Sequence, residues 1–102
     1  MVIVLGSIVA RPDTYADVLK LSQAHVARSR AEPGCVSHAV HQDIEHAQRL
    51  VFVEEWADAN ALAEHFRVPA SIGFVKALSG LVSEPPHLTV YEAALVQGRA
   101  LG

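Results

Sequence analysis

The spacing of apolar residues changes repeatedly along this chain, and these changes constrain the fold more than any other feature. Residues 2–10 form a run rich in β-branched side chains, bounded by Pro12-Asp13, which is typical of a buried strand. Between residues 15 and 26 the apolar side chains recur at helical spacing instead. Glu32-Pro33-Gly34 ends this stretch, because proline cannot continue a helix and glycine supports a turn. A strand followed by a helix is therefore predicted.

The remaining two thirds of the chain repeat this change of spacing. Residues 35–43 alternate with period two, and residues 50–56 form a second strand-like run after a polar connection. Asp58 is a good N-cap for a short helix over 59–67. Pro69 suits the first turn of another short helix. Residues 88–95 are predicted to form the last strand.

The predicted order is β-α-β-β-α-β, which is the split βαβ or ferredoxin-like pattern of the α+β class. It implies a four-stranded antiparallel sheet with its helices on one face. At 102 residues the chain has room for one domain, expected over residues 1–96, with a C-terminal tail over 97–102. Several strands are apolar on both faces, so the open face should find a partner. A twofold dimer that joins two sheets into a barrel is the simplest solution.

The charge and cysteine content of the chain indicate which partners it can bind and which cellular compartment it occupies. Eight basic and eleven acidic residues give a net charge of −3, with no basic stripe for nucleic acid or an anionic membrane. The apolar N-terminus lacks a basic start and is too short to span a bilayer. One cysteine, Cys35, cannot form an internal disulfide. A cytoplasmic protein is expected, without nucleic-acid or membrane partners.

The middle of the chain carries an ordered set of short motifs. They are Glu32-Pro33-Gly34-Cys35, Phe52-x-Glu54-x-Trp56-x-Asp58, Ala61-Leu62-x-x-His65 and Phe74. Each motif is weak alone, but together they resemble the antibiotic biosynthesis monooxygenase (ABM) domain family over residues 32–74. This resemblance implies a dimeric α+β barrel with one pocket per subunit. Some members are cofactor-free monooxygenases of quinols and anthrones, others degrade haem, and others isomerise or bind small molecules, so the family predicts the fold better than the reaction.

Departures from the family pattern argue against some of these activities. His38 stands where members often carry a tyrosine, and Pro69-Ala70 stands where many have a second histidine after the proline. In the haem-degrading relatives the axial histidine corresponds to Val75, and a site tryptophan corresponds to His65. Haem degradation is therefore disfavoured.

Cofactor-free oxygenation needs little from a protein beyond a base and a dry cavity. The substrate is electron-rich and, once deprotonated, passes an electron to O₂. Such a reaction needs no cofactor, and none is expected. The sequence contains no G-x-G-x-x-G, P-loop or C-x-x-C motif, which fits this reaction and equally fits a protein that is not an enzyme. The expected partners are a small aromatic substrate, such as a quinol or anthrone, and O₂. A dimeric binding protein or isomerase without oxygen chemistry, and a purely structural dimer, remain alternatives.

His65 is the first candidate for a catalytic residue. Its unperturbed pKa of about 6.5 suits a general base, and its place beside Leu62 and Phe66 should bring it to the rim of a helix–sheet pocket. The competing interpretation is a structural histidine that bonds a loop carbonyl. Glu54 is the second candidate, because a carboxylate between Phe52 and Trp56 is costly to bury unless a His or Arg pairs with it across the sheet.

Apolar and orienting residues complete the predicted site. Trp56 is a core residue or a stacking platform for an aromatic substrate. His38 is expected to orient the substrate, and Tyr91 to line the pocket or the dimer seam. The predicted substrate-binding residues are Phe52, Trp56, Phe66, Phe74, His38 and Tyr91.

No metal site is predicted from the spacing of the histidines. His38 and His41 lie three apart on a strand and face opposite ways. His41 and Asp43 share a face, but two ligands without a third are weak evidence for a site. Three other histidines are expected on the solvated surface or in loops: His25, His46 and His87.

Overall fold

The computed structural model describes residues 1–100 and has the predicted α+β architecture. Four strands form one antiparallel sheet in the order β2-β3-β1-β4, with the helices packed on one face. The ferredoxin-like expectation is confirmed. The helical segment between the third and fourth strands consists of two helices, because Val68 precedes a proline and is extended, so that one helix ends there and another begins at Pro69. The elements are β1 Val2–Val9, α1 Tyr15–Ser29, β2 Cys35–Asp43, β3 His46–Trp56, α2 Ala59–Arg67, α3 Pro69–Leu78 and β4 His87–Glu92.

The β2–β3 hairpin is tighter than predicted. β3 begins at His46 rather than Leu50, and only Ile44-Glu45 separates the two strands. Polar side chains face solvent at this end, so the start of β3 carries no hydrophobic alternation to mark it. Arg49 Nη1 donates to Asp43 Oδ2 at 2.9 Å and fastens the hairpin.

The last strand is shorter than predicted. β4 ends at Glu92 rather than Leu95, because Glu92 pairs with Val2, the first residue of β1. Beyond that point only the carbonyl of Met1 is available, and it accepts from Ala93 N. Residues 93–100 lie outside helices and strands, and the final two residues of the predicted tail lie outside the described part of the chain.

Two hydrophobic clusters fill the space between sheet and helices. One surrounds Leu50 and Phe52 beneath α1 and α3, and the other surrounds Trp56 beneath α2. Glu54 lies on the same face of β3, between Phe52 and Trp56. Polar side chains therefore meet at the seam between the two apolar clusters.

Gly34 allows the turn before β2 to pack closely against α2. Its φ of +81° is a left-handed conformation that side chains rarely adopt. A Cβ atom there would also lie 2.5 Å from Ala61 Cβ. Glycine is required at this position for both reasons, and the turn that carries Glu32 is thereby held against α2.

Within residues 1–100, no helix covers the opposite face of the sheet. Leu5 is 42% exposed there, beside its cross-strand neighbour Val53. Ala39 pairs with Val53 on its other side, and Val51 lies in the next row of the same face. Among residues 1–100, no helix is long and apolar enough to cross a membrane.

Candidate functional site

A pocket of about 490 Å³ opens between the sheet and the α2–α3 layer. Its walls are mostly apolar, and a few polar groups interrupt them, which is the usual composition of a small-molecule site. The titratable residues in its lining are His25, Glu54, His65, Lys76 and His87. The apolar lining includes Ile8, Phe52, Phe66, Ile72, Phe74, Val75, Leu78 and Leu88.

His65 is buried at the pocket wall and is held by a carboxylate from another part of the chain. The helix that carries it is capped by Asp58, whose Oδ1 accepts from Ala61 N at 2.8 Å. His65 Nδ1 lies 2.8 Å from Glu32 Oε1. Because a carboxylate only accepts, Nδ1 carries the hydrogen and Nε2 keeps its lone pair. His65 is 3% exposed and contributes to the lining of the pocket.

Glu54 is a buried carboxylate with one hydrogen-bond donor and one imidazole beside it. Its Oε1 accepts from Trp56 Nε1 at 2.9 Å. His38, directly opposite on β2, places Nε2 3.3 Å from the same oxygen without the geometry of a hydrogen bond. Burial opposes ionisation of Glu54, but His38 and the Trp56 indole outweigh it and hold its pKa below the ordinary value. Glu54 is therefore ionised at neutral pH.

His25 is buried in this site, and the expectation that it lies on the surface is wrong. Its ring stacks on Phe74 with centroids 4.2 Å apart and planes 9° apart. Burial, followed by the neighbouring His38 and His65, lowers its pKa to about 4. The imidazole is uncharged at neutral pH. The buried stripe of α1 runs through Val18, Ser22, His25 and Ser29, and this spacing was the available signal.

His38 lies behind the pocket rather than in its wall. Its side chain is fully buried, and neither ring nitrogen has a hydrogen-bond partner within residues 1–100. The rings of His25, His38 and His65 form a triangle with centroid separations of 5.3 to 5.7 Å. Three imidazoles from three different elements thus converge beside the pocket.

The structure brings most of the predicted site residues together. Phe52, Phe66 and Phe74 line the pocket. Trp56 is fully buried behind it, with its ring 4.7 Å from that of His65. Tyr91 is half exposed on the helix-free face of the sheet, paired with Ile3, and is not among the pocket-lining residues of the described chain.

Two residues of the site are absent from the set that the sequence predicts. The sequence pattern predicts a surface position for His25, and it indicates Glu32 only as part of the turn motif. The contact between Glu32 and His65 spans 33 positions in sequence, so no local pattern indicates it. The remaining surface histidines, His46 and His87, are exposed as predicted, with His87 at the edge of the pocket.

Comparison with known proteins identifies the family. The model of the family described as antibiotic biosynthesis monooxygenase matches residues 1–77. An uncharacterized Synechocystis protein is 32% identical over 96 residues, which cover 94% of this chain and 65% of that protein. The chain thus spans just under two thirds of that relative. A Mycobacterium tuberculosis protein named "putative monooxygenase" is 28% identical over 89 residues, 87% of each chain.

Solved structures agree with this assignment over nearly the whole chain. A Deinococcus radiodurans protein described as a "putative antibiotic biosynthesis monooxygenase" superposes with a TM-score of 0.92 at 26% identity, covering 98% of this chain and 99% of that one. The Mycobacterium tuberculosis protein gives 0.87 at 28% identity, covering 96% and 98%. The resemblance carried by the sequence motifs is confirmed: this chain belongs to the antibiotic biosynthesis monooxygenase family.

Proposed function

We propose that the protein is a cofactor-independent monooxygenase of an electron-rich aromatic, such as a quinol or an anthrone. The observation that carries the proposal is the buried His65, held by Glu32 at 2.8 Å in the wall of an apolar pocket of about 490 Å³. Membership of the family supports oxygen chemistry. The base and the dry cavity are the two elements that such a reaction needs from the protein.

In this mechanism His65 begins the reaction by removing a proton from the substrate. Nε2 accepts the proton, and Glu32 stabilises the resulting imidazolium through Nδ1–H. The substrate anion transfers an electron to O₂, the radical pair combines, and the peroxide loses water. For an anthrone the balance is anthrone plus O₂ giving anthraquinone plus water. One oxygen atom enters the carbon skeleton, the other leaves as water, and the substrate supplies all the electrons.

The walls of the pocket orient the substrate and keep water away from the anion. Phe52 and Phe74 offer aromatic faces, and Phe66, which is 47% exposed, stands where the pocket meets solvent. The ionised Glu54 accepts a hydrogen bond from a substrate hydroxyl, which fixes the ring relative to His65. Trp56 and His38 act behind Glu54 and hold its carboxylate in position.

Assembly as a homodimer through the helix-free face of the sheet is part of the proposal. Leu5 and Val53 present apolar surface on that face, and a second copy would cover it. Tyr91 lies on the same face and would stand at the dimer seam. Light scattering on the purified protein tests this assembly: Leu5→Glu should give monomers, whereas Ile44→Glu, at a 99% exposed turn, should leave the dimer intact.

Oxygen consumption by chelator-treated protein tests the reaction. A panel of reduced quinones and anthrones should give uptake well above a heat-killed blank, since these compounds also autoxidise. His65→Ala should lower kcat/KM by about 10²- to 10⁴-fold, the usual contribution of a general base. His46→Ala, on the exposed start of β3, should leave it unchanged.

The outcomes of this assay separate the oxygenase from its alternatives. Uptake that survives in His65→Ala would keep the enzyme and remove the assigned base. Ligand-dependent stabilisation or substrate turnover without oxygen uptake would instead favour the binding protein or isomerase. A ligand at 100 times its Kd should raise the free energy of unfolding by about 2.7 kcal/mol.

A further inference from the structure

Three buried histidines from three elements surround one small volume beside the pocket. His25 comes from α1, His38 from β2 and His65 from α2, and all three are at most 6% exposed. One ring nitrogen from each lies within 4.8 Å of those of the other two. Imidazole nitrogen is a preferred ligand of Zn²⁺ and of similar divalent ions.

The positions of the rings fit a tetrahedral metal centre. Zn–N bonds of about 2.0–2.1 Å place the centres of three bound imidazoles about 5.2 Å apart. The observed separations are 5.4 Å for His25 and His38, 5.3 Å for His25 and His65, and 5.7 Å for His38 and His65. The three rings are therefore spaced as imidazoles around one common ion would be.

Two members of the cluster have a ring nitrogen that is free to bind a metal ion. Glu32 holds His65 at Nδ1 and leaves Nε2 with its lone pair, which is the carboxylate–histidine arrangement found around metal-binding imidazoles. His38 is fully buried, and both of its ring nitrogens lack hydrogen-bond partners within residues 1–100. Buried polar atoms are rarely left in this state, and metal ligation would satisfy one of them.

The charges beside the cluster also suit a divalent cation. Glu32 bonds His65, and Glu54 lies 3.3 Å from His38 Nε2. Glu54 is 5% exposed, so its negative charge has little water to screen it. Two carboxylates next to three imidazoles match the charge of a doubly positive ion.

We propose that His25, His38 and His65 form a binding site for a divalent first-row transition ion of the Zn²⁺ type, with its fourth position open towards the apolar pocket. Three histidine ligands and one open position are typical of catalytic zinc sites rather than of closed structural sites. The site stands independently of the proposed oxygenase. If both exist, the ion and the substrate proton compete for the lone pair of His65 Nε2, which is why the oxygen assay uses chelator-treated protein.

Titration with Co²⁺, a spectroscopic substitute for Zn²⁺, tests the site directly. The full chain is prepared without an affinity tag, treated with a chelator and dialysed. We expect one ion per chain, the intense visible absorption of four-coordinate Co²⁺, and no thiolate charge-transfer band, since Cys35 is not a ligand. Equilibrium dialysis with Zn²⁺ should give the same stoichiometry.

Substitutions distinguish metal binding by the buried cluster from metal binding by surface histidines. His38→Leu and His25→Phe should abolish one-to-one binding, while His41→Ala and His46→Ala, both at exposed positions, should leave it unchanged. Glu32→Gln should weaken affinity by about 10- to 100-fold, as loss of a ligand's carboxylate partner does. Circular dichroism verifies that each variant is folded.

The proposal is overturned by either of two results. One is wild-type protein that binds no stoichiometric ion or shows only the weak spectrum of six-coordinate Co²⁺. The other is binding that persists in a folded His38→Leu or His25→Phe variant. The wild-type spectrum decides the matter even if both variants fail to fold. Because no readout uses turnover, failure of the oxygenase proposal leaves this test intact.

Discussion

Glu32 Oε1 and His65 Nδ1 lie 2.8 Å apart and join the turn after α1 to the last turn of α2. The side chain of Glu32 is 16% exposed, whereas that of His65 is 4% exposed and lines the pocket. This pair therefore connects a buried imidazole to a carboxylate that reaches solvent. In the proposed mechanism the pair fixes the tautomer of His65 and gives its proton a route out of the pocket.

Replacing Glu32 by Gln should slow turnover without emptying the pocket. A hydrogen bond to a charged group is worth about 1.5–3 kcal/mol, so kcat should fall about 10- to 100-fold while KM changes little. Steady-state oxygen uptake at several substrate concentrations measures kcat and KM.

Glu64→Gln is the matched control for that variant. Glu64 is on the same helix, but its side chain is 61% exposed and pairs with Arg67. Such surface pairs contribute little, so kcat and KM should stay at wild-type values. Equal effects of the two substitutions would contradict a specific role for Glu32.

Replacing Trp56 by Phe should destabilise the fold through Glu54. The indole N–H is a donor to Glu54 Oε1 at 2.9 Å, and phenylalanine leaves that buried carboxylate one donor short. The expected loss is about 1.5–3 kcal/mol in the free energy of unfolding, measured by urea denaturation. In a Glu54→Gln background the same substitution should cost distinctly less. Identical costs in both backgrounds would show that the effect is lost packing alone.

Alanine at Gly34 should destabilise the protein, whereas alanine at Gly73 should not. Gly34 has φ +81°, and its new Cβ would meet Ala61 Cβ at 2.5 Å, so a loss of about 1–3 kcal/mol is expected. Gly73 lies within α3, and no other side chain or distant backbone of residues 1–100 comes within 4 Å of its added Cβ. Alanine there should stabilise by up to about 1 kcal/mol. Thermal and urea unfolding measure both.

A second substitution separates the two sources of strain at Gly34. Ala61→Gly in the Gly34→Ala background removes the steric contact but leaves the unfavourable φ. Part of the lost stability should return, less the helix cost of the new glycine. If Gly34→Ala is as stable as the wild type, the described turn geometry is wrong.

Alkylation of Cys35 should be slow near neutral pH. Burial, followed by the negative charges of Glu32 and Glu54, raises the pKa of its thiol. The thiolate is the reactive form, so a raised pKa means less of it at pH 8 and a rate that keeps rising into more alkaline solution. Iodoacetamide kinetics on the folded protein measure this. The same thiol in denaturant is the control and should react faster at pH 8; equal rates would contradict the shift.

Local patterns were enough to predict the elements but not the full site. Asp58 and Pro69 marked helix starts correctly, and the alternation of residues 35–43 marked a strand. His25 escaped detection because a polar residue within an amphipathic helix is ordinarily solvated. The role of Glu32 could not be predicted, because its contact with His65 depends on how α2 packs against the turn at Gly34. The end of β4 was likewise set by its partner strand β1 rather than by its own residues.

The proposed reaction inserts one atom of O₂ into an aromatic substrate without a cofactor. Incubation of chelator-treated protein with an anthrone under ¹⁸O₂, followed by mass spectrometry, measures this insertion directly. We expect one ¹⁸O atom in the quinone product, at a rate far above that of heat-killed protein and lost in His65→Ala. Label that enters no faster than in the heat-killed blank, for every quinol and anthrone tried, would contradict it.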